Sequence, residues 1–310
     1  MALPYRWQLR LDRLKKSFGG IFGMGGGDPQ PRPKICPACG SLVGINANRC
    51  HECGTSLVFS LPAIAKSLGG FISAEAPVTY VLFVINLLLF VVSVLATNKN
   101  AESLNLFGNT DSRITFQLGA RQSIYILYFH EWWRMILAMF LHANLLHFGM
   151  NSMGLLDLGP RVEAIYGSAR FLFLYVLTGF FGSVAGVIWN VYASGGAGTG
   201  VGASGALCGL IGVLLGATLG QQGRQARETR AQMTRMILYL VALGLMRFVD
   251  NAAHFGGLVA GIICGKLFME RLPMNAKELK RAYLMGFFAG AVVIASFIFM
   301  MLHFKDIPAN

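Results

Sequence analysis

Residues 202–220 read GASGALCGLIGVLLGATLG, a run without a single charge. As a helix rising 1.5 Å per residue it is roughly 28 Å long, about the depth of a bilayer's hydrocarbon. Glycine recurs at 205, 209, 212, 216 and 220, in steps of four, three, four and four, which puts these positions on one helical face. Such a face lets a second backbone come close. That matters in lipid, where helices gain nothing from hiding apolar surface and are held by direct contact. Ser204 stands in the opening turn of the run.

The partner helix is legible further along. Residues 250–268 read DNAAHFGGLVAGIICGKLF, and Gly257, Gly261 and Gly265 fall three, seven and eleven positions beyond His254, on the histidine's own face. Similar apolar runs recur at 78–97, 144–159, 171–192, 233–249 and 283–303, seven with the two above. With 55% of residues hydrophobic and 13% charged, a bilayer is the solvent this composition requires. The net charge of +12 sorts by loop. If the N-terminus is cytoplasmic, 20 of the 26 Lys and Arg fall on inner segments and six on outer ones, the bias expected of membrane topology. That pattern argues against nucleic acid as a partner. It places the N-terminus inside and the C-terminus outside, most simply in a bacterial inner membrane, with an organelle membrane as the alternative.

In this topology the second, fourth and sixth spans all run from the outer face inward, so their opening turns lie at similar depth. Two glycine-faced helices packed there bring Ser204 beside His254. A serine hydroxyl is a weak nucleophile until a neutral imidazole takes its proton. The second span adds His142, His147 and Asn151 in the run HANLLHFGMN, with His147 and Asn151 one turn apart on a shared face. Donors aimed at the same cavity would stabilise an oxyanion, together with the Ser204 amide. Each piece alone has a plainer reading: GxSG as helix packing, a lone histidine or a His/Asn pair as interhelical glue. Convergence at one depth favours chemistry. Asp250, four residues before His254, reads as a helix cap rather than as the acid of a triad.

The N-terminal stretch is of another kind. Cys36-Pro-Ala-Cys39 and Cys50-His-Glu-Cys53 are two knuckles with the spacing of a tetrahedral Zn²⁺ site, closed by four thiolates and therefore structural. Disulfides are the competing reading, but a cytosolic location opposes them. Upstream, Trp7, Leu11, Leu14 and Phe18 among five basic residues suit a helix on an anionic leaflet, a transit sequence or a basic tail.

Taken together, these motifs resemble the rhomboid family of intramembrane serine proteases. The resemblance covers about residues 78–270. Gly202-Ala-Ser204-Gly205 resembles the family's nucleophile motif, Ala253-His254-Phe-Gly-Gly257-Leu-Val-Ala-Gly261 its histidine helix, and His142…His147…Asn151 its second span. Trp133-Arg134 and Glu163 followed by Gly167 are similar to scaffold sites of the family. One departure is Cys208, where many rhomboids carry an aromatic residue that stacks on the catalytic imidazole.

The resemblance implies an all-α polytopic membrane protein: a rhomboid-like six-helix bundle plus a seventh, C-terminal transmembrane helix, preceded by a small zinc ribbon. The expected division is a basic segment and Gly/Pro linker (1–34), the ribbon (35–59), a linker (60–77), the protease core (78–270) and a C-terminal extra span (271–310). The implied activity is a serine endopeptidase cutting transmembrane segments through Ser204 and His254, with His147 and Asn151 on the oxyanion. No cofactor is expected for that chemistry. The ribbon is expected to regulate, dock or recruit a protein partner. Rival readings are a silent relative that binds membrane proteins and steers their folding or degradation, and a transporter.

Overall fold

The structure, a computed structural model, describes residues 34–36, 41–44, 47–52, 76–98, 109–193, 195, 198–245, 249–268 and 272–304. The basic stretch 1–33, Cys39, Cys53 and most of the expected linker 60–77 lie outside the described residues. The chain forms two compact units, Met1–Thr55 and Ser56–Asn310. In the first, β1 (Lys34–Ile35) pairs antiparallel with β2 (Leu42–Val43), Lys34 opposite Val43 and Ile35 opposite Leu42. The Cys36 amide donates to the Ser41 carbonyl at 2.8 Å, closing the turn between the strands. Cys36, Val43 and Cys50 are buried.

The second unit is helical. Its long helices are α1 (Pro77–Thr97), α5 (Leu145–Tyr166), α6 (Ser168–Ala193), α7 (Ser204–Thr218), α8 (Arg224–Gly244), α9 (Asn251–Leu267) and α10 (Ala276–His303). Among the described residues, α1, α6 and α10 are long and apolar enough to cross a membrane by length and composition, and α7 is a shorter apolar helix. This is the architecture of an all-α polytopic membrane protein. At the centre stands α7, where every residue except Ser204 and Leu215 is buried.

Glycine explains how α7 and α9 come so close. A Cβ on Gly257, Gly261 or Gly265 would collide with the carbonyls of Gly205, Gly209 and Val213 respectively, a register advancing four residues on both helices. Gly212 and Gly216 meet α9 carbonyls in return, at Leu258 and Ile262. The α7 glycines do not all share one neighbour, as their spacing suggested. Gly209 faces Thr178 and Gly205 lies beside Gly182, both on α6, while Gly220 falls beyond the helix and meets nothing. Helix α7 is packed from two sides, so its small residues are divided between them.

The buried Glu163 near the end of α5 ties three helices together. Its carboxylate accepts from the Val78 and Thr79 amides at 2.9 Å, from Thr79 Oγ1 at 2.8 Å and from Ser168 Oγ at 2.7 Å. These donors belong to the first turns of α1 and α6, where unpaired amides and the helix dipole favour an anion.

Two segments differ from the hydropathy reading. Helix α8 begins at Arg224 rather than near 233, because Arg, Gln, Ala and Glu sustain a helix well outside hydrocarbon. Arg230 donates from its base to the carbonyls of Thr218 and Gln221 at the end of α7. The stretch 109–143, which holds no long apolar run, is structured: it forms α2 (Ser112–Gln117), β3 (Arg121–Gln122), α3 (Ser123–Tyr128), α4 (Arg134–Leu137) and a 3₁₀ turn at Ala138–Phe140. Arg134 organises it, as expected of a scaffold residue. It is buried, pairs with Glu131, donates to Phe116 O at 2.6 Å, and lies 4.1 Å above the Phe116 ring. Helix α10 turns a stripe of Ala282, Gly286, Ala289, Val293 and Ser296 inward, with Gly286 against Ala169 of α6. Near its far end the Phe297 and His303 rings stand 6.0 Å from those of Phe140 and Trp133.

Candidate active site

Ser204 is the first residue of α7 and half-buried, so its amide belongs to the turn of N–H groups that lack helical acceptors. The approach to it is set by β4 (Thr199–Gly200), which pairs with β3, Arg121 opposite Gly200. Gly202 follows, with φ +122° and its amide donating 2.8 Å to the Ala138 carbonyl. Only glycine suits this position. The backbone angle is one that side chains rarely adopt, and a Cβ there would lie 2.6 Å from His147 Nε2 and 3.5 Å from Asn151 Nδ2.

His147 and Asn151 therefore lie against the turn that delivers Ser204. Asn144 caps α5 by accepting the His147 amide at 2.9 Å, and Asn151 donates back to the His147 carbonyl at 3.1 Å. His142, fully buried just before the helix, sets its ring 5.3 Å from His147 and 5.4 Å edge-on to Phe148. Its ring packs edge-on between these two neighbours.

His254 occupies the first turn of α9, next to the opening turn of α7. The Ala253 carbonyl is 3.5 Å from where a Gly205 Cβ would sit, and Gly257 rests on the Gly205 carbonyl. His254 Nδ1 is buried without a hydrogen-bond partner. Among the described residues, Ser204 and His254 make no side-chain hydrogen bond. Cys208, one turn below Ser204, is buried, a small thiol in a packed helix.

A cavity of about 20 Å³, room for one water molecule, lies between Ser204, Gly205, Ala253, Ser183, Asp250 and Arg121. Asp250 caps α9, accepting the Ala253 amide at 3.0 Å, as its position in the sequence indicated. Its other oxygen pairs with Arg121 at 2.5 Å. Arg121 escaped the sequence reading because 129 residues separate it from Asp250. The available signal was general: a carboxylate at a span's end usually needs a cation.

Of the four candidate zinc ligands, Cys36 and Cys50 are described and both are buried. Among the described residues no group of three or more His, Cys, Asp or Glu side chains could hold a metal ion. Cys39 and Cys53 fall outside the described residues.

Residues 130–271 match the rhomboid domain. Rhomboid protease GluP of Bacillus subtilis (strain 168) is 28% identical over 244 residues, covering 77% of this chain and 45% of that protein. RHOMBOID-like protein 1 of Arabidopsis thaliana is 31% identical over 207 residues, 61% of this chain and 52% of its own length. Putative rhomboid protease YdcA of Bacillus subtilis (strain 168) is 33% identical over 148 residues, 46% of this chain and 69% of its length. The chain spans about half the length of the first two.

Proposed function

The chain belongs to the rhomboid family, and from that membership we propose that it is an intramembrane serine endopeptidase cutting transmembrane segments of other membrane proteins. What carries the reading is the glycine seam that sets the opening turns of α7 and α9 side by side, Ser204 on one and His254 on the other. His254 takes the Ser204 proton as Oγ attacks the scissile carbonyl. The oxyanion is met by the Ser204 amide and by His147 and Asn151. His254 then protonates the leaving amine, and water releases the acyl group by the same route in reverse. A helical peptide bond is shielded by its own hydrogen bonds, so the substrate unwinds locally, near small or helix-breaking residues at the outer end of its span.

The orientation we propose follows the positive-inside bias: N-terminus cytoplasmic, C-terminus outside, seven spans, in a bacterial inner membrane or an organelle membrane. Zinc on Cys36, Cys39, Cys50 and Cys53 would fix the fold of the N-terminal unit and supply no step of catalysis. That unit would dock or recruit a protein partner. A second reading, a rhomboid-like protein that binds membrane proteins without cutting them, has the retained Ser204 and His254 against it.

The test compares wild type, Ser204→Ala and His254→Ala in proteoliposomes with a single-span substrate and a serine-directed fluorophosphonate probe. Cleavage and labelling by wild type alone are expected. Equal labelling of all three would end the dyad.

A further inference from the structure

Arg121 lies in the outer segment, far in sequence from any residue of the proposed chemistry, yet it is 3% exposed. Its room is built from glycine: a Cβ on Gly200 would lie 2.6 Å from its guanidinium carbon, and one on Gly186 of α6 would overlap it. So placed, Nη2 meets Asp250 Oδ2 at 2.5 Å, while Oδ1 of the same carboxylate accepts the Ala253 amide. The next residue is His254, whose own amide donates to the Asp250 backbone carbonyl at 3.1 Å. Arg121 is also bound to the nucleophile's side of the site, because β3 pairs Arg121 with Gly200, four residues before Ser204. One buried guanidinium thus joins the strand leading to Ser204 to the cap of the helix bearing His254.

We infer that the Arg121–Asp250 ion pair is a latch that sets the position of His254 relative to Ser204, with Arg121 as a positioning residue acting through Asp250. The inference rests on the dyad reading. A partly buried pair of opposite charges, Nη2 on Oδ2, holds distance, and the flat guanidinium lodged between Gly186 and Gly200 fixes direction in a way that lysine cannot. Small displacements between nucleophile and base cost rate steeply, whereas substrate binding elsewhere is untouched.

The experiment uses the full chain in proteoliposomes. Asp250→Asn keeps a cap acceptor and removes the charge; Arg121→Gln removes the cation; Arg121→Lys keeps charge without the flat guanidinium. Each is read by kcat and KM on a single-span substrate, by the fluorophosphonate labelling rate, and by hydrogen exchange of the amides 251–256. Arg121→Gln and Asp250→Asn are each expected to lower kcat and labelling about tenfold or more with KM within about twofold. The double variant should lose no more than either single one, Arg121→Lys should recover part of the loss, and exchange at 251–256 should rise. Losses that multiply in the double variant, or rates within about twofold of wild type, overturn the latch. Losses that follow the unfolding midpoint without a change in exchange at 251–256 overturn it too. The dyad reading fails separately, if labelling of wild type survives Ser204→Ala or His254→Ala.

Discussion

Gly202 shows how much a single residue can decide. Its positive φ turns the chain into α7 and its bare Cα leaves the space that His147 fills. If His147 and Asn151 donate to the oxyanion, removing either strips a contact made mainly in the transition state. Asn151→Ala and His147→Ala are each expected to reduce kcat by about a hundredfold with little change in KM, measured on a membrane-anchored substrate. Equal effects on KM and kcat would assign them to packing instead. The shared face of these side chains was legible because they are spaced one turn apart on one helix. Arg121 was not, since no local periodicity connects β3 with the start of α9, and only the folded chain places the two charges together.

Between elements, glycine and one carboxylate carry the assembly. Gly261→Leu would force a branched side chain onto the Gly209 carbonyl, with no flexible neighbour to yield. The expected result is a parted α7–α9 seam: a lower unfolding midpoint and loss of Ser204 labelling, both read on the purified protein. Glu163→Ala would leave the Val78 and Thr79 amides without their acceptor in a dry site, a cost of about 3 kcal/mol. Denaturation in detergent should show it, and Glu163→Gln should lose less. The apolar spans could be read from composition because lipid demands long uncharged runs. The polar start of α8 and the short elements of 109–140 could not, because helix propensity and buried arginine contacts, rather than hydropathy, hold them.

On the scale of the whole molecule, the two compact units invite separate tests. Removing residues 1–66 is expected to leave cleavage by the helical unit undiminished, and a large loss would make the N-terminal unit part of the enzyme. Metal analysis should find about one zinc per chain, lost in Cys39→Ser and Cys53→Ser while fluorophosphonate labelling persists. Helix α10 carries a consequence of its own. Its inward stripe lies along α6, and its end abuts Phe140 and Trp133 of the outer segment, so that flank of the bundle already has a tenant. If the chain cuts transmembrane segments as proposed, a guest helix arriving along that wall would have to evict α10 first. Helix α8, tied to the end of α7 by Arg230, leaves Leu238, Tyr239, Val241 and Leu245 exposed, an apolar face that nothing in the bundle occupies among the described residues.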